Sequence, residues 1–184
     1  MEDLPKVPTT TYAILGMLTF GEMSGYSLAK VVEHSVGYFW SPARSQIYSE
    51  LRRLVSLGYA REREIAQQDR PDKRLYRITP RGERALRLWV QSPDVEPETF
   101  KSPFLLKVFF GGLAGRETLL AQVKESRRQA QETLRDLRVL EGQIKDQEEL
   151  FYPYLTLKSG LAHHAATVRW ADEVIKELEA REDA

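Results

Sequence analysis

The fold is decided by the stretch Ser41-Pro-Ala-Arg-Ser-Gln-Ile-Tyr-Ser-Glu-Leu-Arg-Arg-Leu-Val-Ser-Leu-Gly-Tyr59 and by Arg74-Leu-Tyr-Arg-Ile-Thr79, which follows after a short charged segment. Ser41 is a favourable helix N-cap and Pro42 a favourable first helical residue, so the pair predicts the start of a helix. Gly58 predicts its end, because glycine readily adopts the left-handed conformation that terminates many helices.

A hairpin is predicted directly after this helix. Residues 59–65 alternate loosely between apolar and polar side chains and can pair with residues 75–79 as a second strand. The connecting segment 66–73 is polar throughout, and Pro71 within it prevents a regular ladder there. A helix followed by a basic hairpin can place side chains in a DNA major groove and hold neighbouring phosphates. This is the outline of a winged helix.

Three more helices are predicted in the first half of the chain. Residues 10–20 are apolar on nearly every side, which predicts the buried central helix of the domain. Ser24 can cap a helix over 25–34, and the Thr79-Pro80 pair repeats the hydroxyl-then-proline start for a helix to about residue 91. The buried face of this last helix is predicted to hold Ala85, Leu86 and Trp89.

The segment 92–102 is rich in proline and acidic residues and is interpreted as a boundary between domains 1–92 and 93–184. The second half is predicted to be entirely helical. Its elements are a short helix over 104–110, a long helix from about 116 to 151 that Pro153 ends, and a last helix over about 156–181. The predicted fold class is mainly α: a winged helix-turn-helix of three helices, a two-stranded wing and a fourth helix, followed by an all-helical dimerisation domain.

Composition excludes several classes of protein. The 184 residues are 42% hydrophobic and 29% charged, which is typical of an ordinary globular protein. No apolar run approaches the roughly 20 residues of a membrane-spanning helix, and the N-terminus shows no signal-peptide pattern. With no cysteine, there is no disulfide framework, thiolate nucleophile or cysteine-based zinc site. A cytoplasmic location without membrane partners is expected.

The net charge of zero hides an asymmetry. Residues 1–92 hold 14 Lys and Arg against 10 Asp and Glu, whereas residues 93–184 hold 13 against 17. Within 41–92 the balance is 12 basic against 6 acidic residues. The positive charge therefore lies where the winged helix is predicted, which is typical of a basic binding module joined to a second module.

The helix after Pro42 is the candidate recognition helix, since the first turns of such a helix contact base edges. Arg can bond guanine and Gln adenine through paired hydrogen bonds, whereas residues further along meet phosphate. A solvated polar face on an ordinary surface helix is the plainer interpretation. The predicted DNA contacts are Ser41, Ala43, Arg44, Ser45, Gln46, Tyr48, Ser49 and Arg52.

The hairpin tip adds three cations, Arg70, Lys73 and Arg74. Cations on a short projecting loop suit phosphate or minor-groove contact, and each such contact steepens the salt dependence of binding. A merely solvated loop is the plainer interpretation of the tip by itself.

Catalytic and metal-binding motifs are absent from the sequence. The three histidines do not have the spacing of a metal-binding helix, and no Gly-x-Ser-x-Gly, Walker or Gly-x-Gly-x-x-Gly motif occurs. We therefore expect no catalytic residues, no metal and no cofactor, and we interpret the chain as a non-enzyme.

Two helices of the second half carry apolar seams. Eight positions from 120 to 144 follow the alternating three- and four-residue spacing of a coiled coil, and all but Arg127 and Glu141 are apolar. The last helix is apolar on two sides, which predicts packing against the long helix and against a second subunit. The predicted dimer interface comprises Leu120, Val123, Leu134, Leu137, Ile144, Leu161, Val168, Ile175 and Leu178.

The aromatic residues of the second half allow a further hypothesis, a pocket for a planar effector. His163 and Trp170 are seven residues apart and share a helix face. Packing in the core or in the dimer interface is the plainer interpretation, and we favour it. The candidate effector residues are Phe109, Tyr152, His163 and Trp170.

Several segments together resemble a known family. They are Tyr12-Ala-Ile-Leu-Gly-Met-Leu18, Ser24-Gly-Tyr-Ser-Leu28, Gln46-Ile-Tyr-Ser-Glu-Leu-Arg-Arg-Leu54 with Gly58, Arg70-Pro-Asp-Lys-Arg-Leu-Tyr-Arg-Ile-Thr-Pro-Arg-Gly82, Leu105-Leu-Lys-Val-Phe-Phe-Gly-Gly112 and Trp170-Ala-Asp-Glu173. In this order they resemble the PadR family of bacterial transcriptional regulators, in its larger subfamily with a helical C-terminal domain. The likeness covers nearly the whole chain.

The resemblance implies a homodimer whose C-terminal helices embrace and hold two winged helices over a pseudo-palindromic operator in double-stranded DNA. It also implies repression relieved by a small molecule, often an aromatic acid or a toxic compound. One alternative stays open: a winged helix that binds another protein and has no specific DNA target, which the zero net charge favours.

Overall fold

The structure, a computed structural model, describes residues 7–66, 73–95 and 100–181. Its helices and strands are α1 Thr9–Met17, β1 Met23–Ser24, α2 Gly25–His34, α3 Arg44–Ser56, β2 Ala60–Ile65, β3 Lys73–Ile78, α4 Pro80–Gln91, α5 Pro103–Phe109, α6 Arg116–Ile144 and α7 Phe151–Ala180. Short 3-10 turns lie at Leu18–Phe20, Gly111–Leu113 and Glu148–Leu150. The chain divides into two compact units, Met1–Glu96 and Pro97–Ala184. The mainly α fold class with an N-terminal winged helix is confirmed.

Helix α1 lies at the centre of the first unit, as its apolar sequence predicts. Ile14 and Leu15 are fully buried and share one core with Leu28 of α2 and with Leu51 and Leu54 of α3. The helix is shorter than predicted, because its last residues form the 3-10 turn instead. The core therefore holds α3 against α1 and α2 along its apolar face.

The end of α3 is confirmed at Gly58, which has a φ of 69°. The Gly58 amide donates to the Val55 carbonyl at 2.9 Å, and the Tyr59 amide donates to the Leu54 carbonyl at 2.8 Å. These two bonds form a Schellman motif, which needs a left-handed residue at this position. Glycine supplies that conformation without a Cβ penalty.

The predicted start of α3 is wrong. Ala43 occupies the N-cap with an extended backbone, φ −60° and ψ 148°, and the helix begins at Arg44. Ser41 therefore lies two residues too early for its hydroxyl to cap the first turn. No side chain caps this helix.

The sheet has three antiparallel strands in the order β1-β3-β2. The two predicted wing strands are present, and their register runs from Ala60 opposite Ile78 to Ile65 opposite Lys73. Strand β1 was not predicted, since two residues are too few to show a strand period. Residues 67–72, which include the predicted tip cation Arg70 and Pro71, lie outside the described residues.

The predicted start of α4 is confirmed. Thr79 is the N-cap, its hydroxyl accepts from the Gly82 amide at 3.1 Å, and a proline follows at the first helical position. Trp89 was predicted to be buried but is 38% exposed. Its ring covers Tyr12 from outside, stacked at 5.0 Å between centroids, and therefore keeps one face in solvent.

The second unit is built around an antiparallel pair of long helices, α6 and α7. Lys124 forms an ion pair with Glu179 at 2.8 Å and Arg127 one with Asp172 at 2.6 Å, so positions early in α6 lie beside positions late in α7. At about 1.5 Å per residue, α6 is about 43 Å long.

The break between the long helices lies earlier than predicted. Helix α6 ends at Ile144, and Pro153 is the third residue of α7 where it was predicted to end the preceding helix. The amides of a first helical turn have no intrahelical partner, so a proline there costs no hydrogen bond. Within the described ranges, no helix has the length and apolar character needed to cross a bilayer.

Candidate nucleic-acid interface

Helix α3 presents a polar surface opposite its buried face. Ile47, Leu51 and Leu54 are buried as predicted, and Ser49 is half-buried. The other predicted contact residues are exposed, namely Ser41, Ala43, Arg44, Ser45, Gln46, Tyr48 and Arg52. The arrangement therefore leaves the first two turns of α3 accessible to a ligand.

The exposed side chains of α3 differ in their freedom to bind. The Gln46 amide donates to the Thr10 hydroxyl at 3.4 Å, and the Ser49 hydroxyl donates to the Gln46 carbonyl at 2.8 Å. Both side chains are therefore partly engaged within the protein. Arg44, Tyr48 and Arg52 are four residues apart and share one face of the helix.

A buried carboxylate fixes the position of α3, and the sequence analysis missed it. Glu50 is only 3% exposed. It accepts a hydrogen bond from the Thr11 hydroxyl of α1 at 2.6 Å and pairs with Arg53 at 3.1 Å. Glu50 lies between Ile47 and Leu54 on the inward face of α3, and this spacing in the sequence could have predicted its burial. A charged group buried in this way is stable only when it is paired.

The uncapped start of α3 adds to the surface. The first amides of a helix have no intrahelical acceptor, and the helix dipole makes this end positive. Since no side chain caps the turn that begins at Arg44, these amides can donate to an external anion such as a phosphate.

The base of the wing lies next to α3. Arg74 pairs loosely with Glu62 across the β2–β3 ladder at 3.9 Å. Burial raises the pKa of the Tyr76 phenol; Glu62 adds to the rise, whereas Arg74 and Arg52 oppose it. Arg52 of α3 and Arg74 of the wing therefore act on the same phenol. Lys73 is exposed and forms no ion pair with any residue that the structure describes.

The predicted dimer residues lie on the α6–α7 pair. Val123 is 0% exposed and belongs to a cluster with Leu119 and Ala171 of the same chain, so it has no surface for a second subunit and its assignment is corrected. Leu137 is also buried within the chain. Ile175 and Leu178 pack partly against the same cluster. The half-buried remainder are Leu120, Leu134, Ile144, Leu161 and Val168.

The candidate effector residues are not brought together in one chain. Tyr152 and Trp170 are 18 residues apart on α7, which separates them by about 27 Å. Phe109 and Tyr152 are 81% and 77% exposed, and each contacts only its neighbouring aromatic ring among the ring pairs described. Trp170 packs edge-on against Phe104 of α5, with centroids 6.0 Å apart. Packing within the chain accounts for Trp170, and His163 is exposed.

No metal site is found among the described residues, since no three His, Asp or Glu side chains there converge as ligands. A carboxylate on α6 and a histidine on α7 have shifted pKa values. A hydrogen bond from Arg128, with a second from Gln129, lowers the pKa of Glu125 to about 2. Burial, and then the charge of His163, lower the pKa of His164.

Comparison with known proteins finds relatives of both halves of the chain. Residues 14–88 match the model of the transcriptional regulator PadR-like family, and residues 100–179 match the model called virulence activator alpha C-term. The negative transcriptional regulator PadR of Bacillus subtilis is 32% identical over 171 residues, which cover 89% of this chain and 94% of that protein.

Solved structures show the same fold. The Bacillus subtilis PadR crystal structure in complex with operator DNA has a TM-score of 0.81 at 29% identity, covering 93% of this chain and 99% of the other. The structure of the same protein in complex with p-coumaric acid has a TM-score of 0.75 at 28% identity, covering 94% and 99%. These matches run through both units of the chain. The chain belongs to the PadR-like family of transcriptional regulators.

Proposed function

We propose that this regulator is a dimeric, ligand-responsive repressor that binds a pseudo-palindromic operator. The observation that carries the proposal is the exposed face of α3, Arg44, Tyr48 and Arg52, next to the basic base of the wing. A recognition helix lies in the major groove while flanking cations bind phosphates. Bacillus subtilis PadR, which shares this fold, has been crystallised with operator DNA.

Arg44 is proposed to contact a base edge, because it is the first residue of α3 and its side chain is exposed. Guanidinium groups bond guanine through two parallel hydrogen bonds. Ser45 and Gln46 lie in the same turn, and Gln46 must leave Thr10 to take part. Arg52, Lys73 and Arg74 are proposed to bind phosphates.

The second unit is proposed to form the dimer interface. Its short helix α5 and the turn after it expose Leu106, Phe109, Phe110 and Leu113, each more than half accessible in the single chain. An apolar patch of this kind marks an interaction surface. Leu120, Leu134, Ile144, Leu161 and Val168 are proposed to contribute through the parts that α6 and α7 leave open.

Repression and its relief are proposed by analogy with the relative named a negative regulator, whose p-coumaric acid complex is known. A small aromatic or toxic compound would favour one dimer geometry, and the spacing of the two winged helices would then no longer match both half-sites. The four candidate effector residues do not lie together within one chain. A pocket lined by all of them would therefore have to be formed by both subunits of the dimer.

The test is fluorescence anisotropy with DNA from upstream of the neighbouring gene and with random DNA of equal length, at several salt concentrations. Arg44→Ala is expected to lose about 1–3 kcal/mol on the operator alone. Lys73→Ala should weaken both DNAs equally and reduce the salt slope by about one. Lys176→Ala, an exposed cation on α7, is the control and should change neither. Equal losses from Arg44→Ala on operator and random DNA would contradict the assigned roles.

The net charge of zero supports a second candidate function, a winged helix that binds protein and no specific DNA. In that case the wild-type chain shows no saturable, salt-dependent binding to any upstream fragment. Operator binding in the assay above excludes this alternative.

A further inference from the structure

The first unit has a second basic feature, on the solvent-facing side of the wing sheet. Arg61 and Arg77 are directly opposed in the β2–β3 register. Side chains alternate between the two faces of a strand, so both arginines lie opposite the face that buries Ala60 and Tyr76. They are therefore separate from the side of the sheet on which Arg52 of α3 approaches Tyr76.

The two arginines line a cleft of about 450 Å³. The turn after α1 closes one side with Thr19 and Gly21, and the first turn of α4 closes another with Pro80 and Glu83. The two arginines thus line a concave space and not a flat surface.

Arg61 and Arg77 are not neutralised by an ion pair within the part of the chain that the structure describes. Directly opposed residues have Cβ atoms about 5 Å apart, and like charges in this position destabilise the pairing. Neither arginine forms an ion pair with any residue in the described ranges. Glu22 feels both charges, which help to lower its pKa, but its carboxylate is held by Arg63 at 2.8 Å.

We propose that this cleft binds a phosphate-type oxyanion between Arg61 and Arg77. One oxyanion accepts charge-assisted bonds from two guanidinium forks and replaces their repulsion by attraction. The positive end of the α4 dipole lies at the same cleft. Glu83 lines the same cleft and reduces its net positive charge. The phosphate is carried by a small molecule or by the DNA backbone, and the experiment separates these sources.

The first arm titrates the full-length chain, without DNA, with inorganic phosphate at constant ionic strength and follows the amides of residues 61 and 77 by NMR. Saturable shifts are expected. Arg61→Gln and Arg77→Gln should each weaken phosphate binding about tenfold, the equivalent of one charge-assisted hydrogen bond. Arg77→Lys keeps the charge but not the two parallel donors of the guanidinium group, so its affinity for phosphate should lie between those of the wild type and Arg77→Gln. Arg84→Gln, an exposed α4 residue outside the cleft, is the matched control and should bind like wild type.

The second arm measures DNA affinity against salt for the same variants. If free phosphate does not bind but Arg61→Gln and Arg77→Gln each reduce the salt slope by about one, the phosphate belongs to the DNA backbone. If neither arm distinguishes these variants from Arg84→Gln, the proposal is wrong. Folding is checked by the melting temperature, which should not fall, since each substitution removes a repulsion. A wild-type chain that fails to bind DNA contradicts the proposed regulator function and leaves the phosphate titration valid.

Discussion

Replacing Thr11 by valine tests whether the buried carboxylate of Glu50 positions the recognition helix. The substitution keeps the shape of the side chain and removes the hydroxyl that donates to Glu50 at 2.6 Å. Hydrogen bonds to charged groups contribute about 1.5–3 kcal/mol, and Thr11 and Glu50 are 0% and 3% exposed, so solvent cannot replace the lost donor. We expect a loss of about 2 kcal/mol in the free energy of unfolding of the first unit.

For a domain of this size, a loss of about 2 kcal/mol lowers the melting temperature by roughly 8–16 °C. The assay is urea and thermal unfolding, followed by circular dichroism and by tryptophan fluorescence, to which Trp89, stacked on Tyr12 in the first unit, contributes. Thr10→Val is the matched control. Among the described residues, the Thr10 hydroxyl accepts only a long bond of 3.4 Å from Gln46, so this variant should lose about 0.5 kcal/mol.

A double-mutant cycle with Glu50→Gln measures the part of the Thr11–Glu50 interaction that depends on the charge. The amide of glutamine can still accept from Thr11, but it carries no charge, so the coupling between the two sites should exceed about 0.5 kcal/mol. A Thr11→Val variant as stable as Thr10→Val, or additive effects in the cycle, would refute the reasoning that this bond anchors α3.

Two further predictions concern packing and pH. Gly82→Ala should destabilise the first unit by about 1–3 kcal/mol, because its Cβ would lie 2.1 Å from the Tyr59 carbonyl oxygen. Gly142→Ala should instead stabilise α6 by about 0.5–1 kcal/mol, because its Cβ would meet no atom within 4 Å. Urea unfolding of the two variants measures both effects, and a neutral Gly82→Ala would show that the backbone can separate there. The lowered pKa of His164 means that the unfolded chain binds this proton more readily, so the second unit should lose stability as the pH falls from about 7.5 through the ordinary histidine range. In His164→Gln the melting temperature should depend less on pH across this range, and an unchanged dependence would contradict the contribution of burial. In His163→Gln the loss of stability at low pH should be smaller than in the wild type, because the charge of His163 no longer lowers the pKa of His164.

Local chemistry in the sequence was sufficient for several elements. Ser24 and Thr79 accept amides at the starts of α2 and α4, and Gly58 ends α3, all as predicted. Each of these outcomes depends on hydrogen bonds between residues at most five apart in the sequence. Ser41 has the same chemistry, yet the extended backbone at Ala43 places it outside the helix.

Features set by tertiary packing were not predictable in this way. The burial of Glu50 depends on Thr11, which is 39 residues away. The apolar spacing of α6 predicted a packing seam, but no pattern states whether its partner is the same chain or a second one, and for Val123 it is α7 of the same chain. For the candidate site, the helical periodicity of the sequence predicted which positions of α3 are exposed. The hydrogen bonds of Gln46 and Ser49 could be identified only from the structure.

The junction at Thr79 has a consequence for how the protein transmits motion. Its hydroxyl donates to the Gly58 carbonyl at 2.7 Å and accepts from the Gly82 amide at 3.1 Å, so one oxygen joins the end of α3 to the first turn of α4. The absent side chain of Gly82 brings the two backbones into direct contact at Tyr59. Contact between backbones leaves no flexible side chain to absorb a displacement. We therefore expect helices α3 and α4 to move together, so that a tilt applied to α4 would also reorient the exposed face of α3.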